Sequence, residues 1–181
     1  TAVQGTALGY RALACNTTGN SNVAVGTYAL KANTTGASNT AIGTCAMVFA
    51  TSTKTTSIGT LSLSLNSGDR NTAVGYFSLR NNSTGTNNTA VGYCTLISNT
   101  AGINNVAVGD RALKLNTAGN RNIGIGAAAL NNNTTGANNT ALGTSALSAN
   151  TIGDNNIAIG QYSMLCNTTG AKNTAVGVVT L

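Results

Sequence analysis

Residues 139–155 read NTALGTSALSANTIGDN, and residues 156–172 start the same phrase again as NIAIGQYSMLCNTTGAK. Almost the whole chain is this phrase repeated. The glycine that closes A-[VIL]-G recurs at Gly9, Gly26, Gly43, Gly59, Gly75, Gly92, Gly109, Gly126, Gly143, Gly160 and Gly177, at eight intervals of 17 residues and two of 16. Self-similarity at a short fixed period is the signature of a solenoid. A helical repeat is excluded, because 17 residues make about 4.7 helical turns and identical columns would wander around the axis. Glycine and asparagine fixed in every unit would also weaken a helix by roughly 0.5 to 1 kcal/mol each.

The consensus is N-T-A-V-G-x-x-A-L-x-x-N-T-T-G-x-x. Regular units start at Asn22, Asn39, Asn71, Asn88, Asn105, Asn122, Asn139, Asn156 and Asn173, with Gly5 and Thr55 holding the same column in two atypical places. Both short units lose their residue in the turn, within Phe49 to Lys54 and Asn66 to Arg70, where loops tolerate deletion. The whole of 1–181 reads as a single repeat domain, irregular around 47–60 and uncapped at both ends. Thr1 aligns inside a turn and Leu181 stops in register on the Leu column, which predicts either a longer polypeptide or head-to-tail stacking into a filament.

Read as a strand, T-A-V puts two columns on one side and the Ala column on the other. Hydropathy assigns the aliphatic column to the interior: Val25, Ile42, Ile58, Val74, Val91, Val108, Ile125, Leu142, Ile159 and Val176. A second apolar column four residues past the glycine, including Leu30, Leu79, Leu113 and Leu147, closes the core from the opposite wall. The Ala column comprises Ala24, Ala41, Ala73, Ala90, Ala107, Ala141, Ala158 and Ala175, with Ser57 and Gly124 in the same register, and never exceeds a hydroxymethyl group. Something must approach it closely, either the opposite wall of a thin coil or identical chains around a threefold axis. It is therefore a candidate subunit-packing face. The N-T-T-G segment supplies the turn, since Asn and Gly accept positive φ. Stacked coils would align Asn16, Asn33, Asn66, Asn82, Asn99, Asn116, Asn133, Asn150 and Asn167 into one ladder of amides, and Asn22, Asn39, Asn71 and Asn88 onward into another.

Composition excludes whole classes of function. The chain is 41% hydrophobic but only 4% aromatic and 7% charged, so its interior must be small and aliphatic. Too many positions are apolar for disorder, and no apolar run approaches the ~20 residues of a membrane span. Histidine is absent, and Asp69, Asp110 and Asp154 are the only acids. Asp69 and Asp154 share a column five coils apart, about 24 Å, well beyond the ~5 to 9.5 Å of paired glycosidase carboxylates. Neither an enzyme, a metal site nor a cofactor site can be assembled from this inventory.

The segments NTAVGYFSLRNNSTG (71–85) and NTAVGYCTLISNTAG (88–102) resemble the repeats of tail-fibre-like proteins of phages and bacteria. They are similar, more loosely, to the S-V-A-I-G repeats in the heads of trimeric autotransporter adhesins. The resemblance covers essentially the whole chain. It implies an all-β parallel β-solenoid, a β-roll or β-prism of about eleven coils, commonly trimeric, serving as a stalk or head outside the cell.

Further side chains set the remaining expectations. Cys45 and Cys94 share a column three coils apart and Cys15 and Cys166 another nine coils apart, too far for a same-chain disulfide. The net charge of +6 is spread over several edges without aromatic interleaving, which favours weak attraction to surface glycans or an anionic cell surface over specific nucleic-acid recognition. A hydroxyl row at Thr17, Thr34, Thr51, Ser67, Ser83, Thr100, Thr117, Thr134, Thr151 and Thr168 resembles an ice-binding surface, although turn chemistry explains it equally well. The Asn-Thr-Thr turns at Asn16, Asn33, Asn133 and Asn167 are also glycosylation sequons. The expected role is a structural fibre or adhesin segment at a cell or virion surface, partnered by identical chains as a homotrimer or head-to-tail polymer and not inserted in a membrane. A self-polymerising extracellular filament is the first alternative, and an ice-binding protein using Thr ladders the second.

Overall fold

A computed structural model describes residues 4–181. Eleven short strands follow one another: β1 (Gly5–Leu8), β2 (Asn22–Val25), β3 (Thr40–Ile42), β4 (Thr56–Ile58), β5 (Thr72–Val74), β6 (Thr89–Val91), β7 (Val106–Val108), β8 (Ile123–Ile125), β9 (Thr140–Leu142), β10 (Ile157–Ile159) and β11 (Thr174–Val176). They form one parallel sheet in strict chain order. Each A-[VIL]-G unit stacks on the next without slippage, as in Thr72↔Thr89, Ala73↔Ala90 and Val74↔Val91. The protein is thus an all-β parallel solenoid with one strand per coil. The expectation for Thr1 concerns a residue outside those described.

Among the described residues the opposite wall contains no strand. After each Gly the chain runs through consecutive tight turns: in the second coil Ala29 N–H donates to Gly26 O (3.2 Å), Lys31 N–H to Tyr28 O (3.2 Å) and Asn33 N–H to Leu30 O (3.1 Å). The first two place a residue of positive φ third in the turn, Tyr28 at 61° and Leu30 at 49°, the arrangement of a type II turn. Intervening amides reach the neighbouring coils, as in Leu30 N–H to Ala46 O (3.0 Å) and Tyr28 N–H to Tyr10 O (2.9 Å). Every member of the Leu column, including Leu79, Leu113 and Leu147, is left-handed. That geometry costs an L-residue about 1–2 kcal/mol. Complete burial of a Leu side chain returns about 1.5–3 kcal/mol, and Leu30, Leu79, Leu113 and Leu147 are each fully buried. Burial and inter-coil bonds together therefore outweigh the strain.

The structure reverses the two faces of the strand. Ala24, Ala41, Ala73, Ala90, Ala107, Ala141 and Ala158 have no exposed surface, and Ala175 has 5%. The aliphatic column assigned to the core lies on the outside instead. Val25, Val74, Val91, Val108 and Leu142 are half-buried, and Ile42, Ile58, Ile125, Ile159 and Val176 are exposed. The reason is the thinness of the coil. A Cβ added at Gly124, in the Ala column, would lie 3.2 Å from Ala129 O and 3.4 Å from Leu113 Cγ. A methyl group is therefore about the largest substituent the space between the walls admits, and the Ala column cannot be a subunit-packing face. Ser57 extends one atom further only by donating across the interior to Ser62 O (3.0 Å).

A third small column, just before the Leu, completes the core: Ala29, Ala46, Ala112, Ala129 and Ala146 are fully buried. Where Ser62, Ser78 or Thr95 stands there, its hydroxyl donates to the glycine carbonyl three residues back, as Ser78 does to Gly75 O (3.0 Å) and Thr95 to Gly92 O (3.1 Å), whereas Ser163 donates to Ala175 O (3.2 Å). That glycine cannot be replaced cheaply. Gly92 has φ 134°, and an added Cβ would sit 2.7 Å from Gly109 O.

Candidate functional site

Two buried ladders of amides flank the core. In the first, Asn116 Nδ2 donates to Asn99 Oδ1 (2.9 Å) and to Gly119 O (3.0 Å), while Asn116 Oδ1 accepts from Asn133 Nδ2 (2.9 Å). Equivalent bonds join Asn16 to Asn33, Asn66 to Asn82, and Asn82 onward through Asn99, Asn133, Asn150 and Asn167. In the second ladder the side-chain oxygen accepts a backbone N–H of the next coil, as Asn122 Oδ1 does from Asn139 N–H (3.0 Å). Its amide donates to a turn glycine, as Asn122 Nδ2 does to Gly136 O (2.8 Å). Buried polar groups are costly unless paired, and here the repeat itself supplies each partner. The pairing fails in the coil around 47–60. Ala50 replaces the asparagine, and Asn33 Oδ1 and Ser52 Oγ are left buried without partners.

The acidic residues are absorbed into the same scheme. Asp69 Oδ1 accepts from Thr53 N–H (2.8 Å) and Asp154 Oδ1 from Ala137 N–H (2.6 Å), the role Asn120 Oδ1 plays for Ile103 N–H (2.8 Å). Asp110 pairs with its exposed neighbour Arg111 at 3.8 Å, a contact of little energetic consequence. Among the described residues no three metal-ligating side chains converge. Cys15, Cys45, Cys94 and Cys166 are all free. Two open depressions, of about 320 and 340 Å3, lie at the two end coils, lined by residues such as Met164 and Leu181 and by Gly5 and Val23. No helix among the described residues is long and apolar enough to cross a membrane.

Five of the turn threonines are also committed to the backbone. The Thr17, Thr100, Thr117, Thr134 and Thr151 hydroxyls each donate to a carbonyl one coil on, at 2.9 to 3.1 Å. The row is thereby built into the turn, which weakens its case as a recognition surface.

The cations, read from sequence as spread over several edges without aromatic interleaving, lie in part on aromatic rings. Arg11 stands 5.6 Å from the Tyr10 ring centroid, Lys31 5.0 Å from Tyr28 and Arg80 4.7 Å from Phe77. Tyr76 and Tyr93, one coil apart in the same column, stack at 5.7 Å with their planes 4° apart. A hydrogen bond with the Cys94 side chain, reinforced by the charge interaction with that thiol, pushes the Tyr93 phenol above its ordinary value. The rings stand one or two residues after the glycine, and Lys31 and Arg80 reach them from the position just past the Leu column. Spacing alone could have shown the Tyr76–Tyr93 pair, since 17 residues separate them.

The most regular exposed surface is the outer side of the sheet. Its first rank is Thr6, Val23, Thr40, Thr56, Thr72, Thr89, Val106, Ile123, Thr140, Ile157 and Thr174. Its second is Leu8 and the aliphatic column from Val25 to Val176. Register pairing keeps both ranks straight. Neither rank holds a charged residue. Comparison with protein-family models, curated proteins and solved structures returns no match.

Proposed function

We propose that the chain is a structural rod segment of an extracellular fibre or adhesin, presenting a repetitive surface for attachment. The observation that carries this reading is the uninterrupted stacking of eleven in-register strands in a single sheet. At the ~4.8 Å spacing of a sheet this makes a rod of about 50 Å. Each coil adds the same hydrogen bonds and the same small core, so length grows without a new fold. The buried side chains are committed to packing and pairing, a composition suited to a spacer rather than to a reaction. The resemblance to tail-fibre-like and adhesin-head repeats, and the net charge of +6, support attachment to glycan-bearing or anionic surfaces.

The test joins copies in tandem without breaking the period and images them by negative stain alongside small-angle scattering. The rod should lengthen linearly with copy number, and beads coated with it should adhere to glycan-bearing cells more than beads coated with a scrambled repeat. A compact particle would refute the rod. Linear rods whose coated beads adhere no better than the control would refute attachment.

A further inference from the structure

We infer that the outer sheet face is an ice-binding surface, distinct from the turn threonine row and independent of the fibre reading. The ligand must match three properties of this strip. It must be periodic, because the face repeats the same two outward positions at every coil over about 50 Å, with ~4.8 Å between coils and ~6.7 Å between ranks. It must be uncharged, because no Lys, Arg or Asp stands in either rank. It must accept both methyl groups and hydroxyls, because Thr recurs in the first rank while Val, Ile and Leu fill the second.

A second copy of the chain fits poorly. A strip about 50 Å by 10 Å in a face-to-face pair would bury roughly 1,000 Å2 in total, the lower edge of a specific protein interface. The strip also lacks the aromatic anchors on which such interfaces depend. A crystalline water lattice needs neither large area nor anchors, since each coil contributes a small increment at the same spacing. Methyl groups restrict the orientations of first-layer water, and threonine hydroxyls can hold that layer by hydrogen bonds. The Thr72 and Thr89 side chains stand half-exposed on this face, whereas in the turn row the Thr17, Thr100, Thr117, Thr134 and Thr151 hydroxyls are turned to backbone carbonyls. The Asn ladders on either side of the core restrain each coil against the next, and side-chain ladders of this kind oppose sheet twist.

The experiment uses the full chain in a nanolitre osmometer, with sedimentation run in parallel. The parent should confine ice to faceted crystals and hold them unchanged across a gap below the melting point. In Thr89→Lys/Val91→Lys that gap should be lost, with the circular dichroism spectrum and melting temperature of the parent retained, since both positions face outward. Thr72→Lys provides a second, milder variant should the double change reduce folding. Thr135→Lys, exposed in the turn, should keep the gap. Rounded, unconfined ice growth by the parent would overturn the inference, as would a gap that survives a folded face variant. So would a dimer or trimer that the face variants convert to monomer, since the strip would then be a protein interface. Binding to crystalline cellulose or chitin without ice shaping would overturn it as well.

Discussion

Replacing Asn116 by Ala tests whether the buried amide ladder holds the rod together. The side chain is fully buried and makes three ladder bonds: to Asn99 Oδ1, to Gly119 O and from Asn133 Nδ2. Gly119 O keeps the bond from Asn105 Nδ2, and Asn133 Nδ2 keeps Gly136 O. Asn99 Oδ1 loses its ladder partner. Three bonds of about 0.5–1.5 kcal/mol each, with one acceptor newly orphaned, give a loss of roughly 3 kcal/mol. For a chain of this size that corresponds to a fall of about 6–12 °C in Tm. The reciprocal change, Ala50→Asn, should raise Tm by a few degrees, because Asn33 Oδ1 now lacks a partner. Asn66, in the equally short next coil, shows that the amide can be served there, by Gly68 O at 2.7 Å. Thermal melting followed by circular dichroism reads both. If Asn116→Ala melts within about 2 °C of the parent, the ladder is not a stabilising element and the reasoning fails.

Three further outcomes follow from the walls of the coil. Ala90→Leu should destabilise by about 1–3 kcal/mol or more through overpacking, whereas Val91→Thr, on the outer side, should stay within about 0.5 kcal/mol in urea denaturation; equal effects would return the strand to its hydropathic orientation. Ala128→Gly should be neutral or stabilising by up to about 1 kcal/mol, opposite to the usual cost of glycine, because Ala128 has φ 56°. Tyr93 should ionise above its ordinary value of 10.0 in an ultraviolet titration, and Cys94→Ala should bring it down. Since its folded value is raised, any stability it contributes is present below that ordinary value and fades as pH rises through the folded one.

The period, the place of the strand, the burial of the Leu column and the alignment of both asparagine columns were legible in the sequence because each is a property of spacing. The facing of the strand was not. Alternation states which residues share a side; it does not state which side is inside. Hydropathy put Val91 and Ile125 inward, but the gap between the walls is set by the run of left-handed turns through Tyr28 and Leu30, and an L-leucine carries no local mark of positive φ. A better signal was present in residue volume. The Ala column varies only among Ala, Ser and Gly, while the first outer rank mixes Thr with Val and Ile. A strict limit on size marks a confined position more reliably than apolar character does. The contact of Arg80 with Phe77 lies within one turn rather than along a column and so left no mark in the spacing, whereas the Tyr76–Tyr93 pair was there to be read from it.

Reversal of the faces leaves an aliphatic column on the surface, and β-propensity does not account for it. Propensity would favour Thr, Tyr or Phe at these positions as readily as Val or Ile. The first outer rank behaves in that way, with Thr at Thr6, Thr40, Thr56, Thr72, Thr89, Thr140 and Thr174. The second rank never does so, and it includes Leu8 and Leu142, which are not β-branched. What is held constant there is therefore apolarity and not strand preference. Burial against the coil explains only part of it, since Ile42, Ile58 and Ile159 each keep 38% of their surface exposed. An apolar rank maintained through every coil on the outside, beside a rank that tolerates hydroxyls, is the pattern expected of a surface whose contacts repeat with the rod. That places the constraint on what meets the face, and makes the two-rank strip the part of the molecule where substitution should separate folding from function.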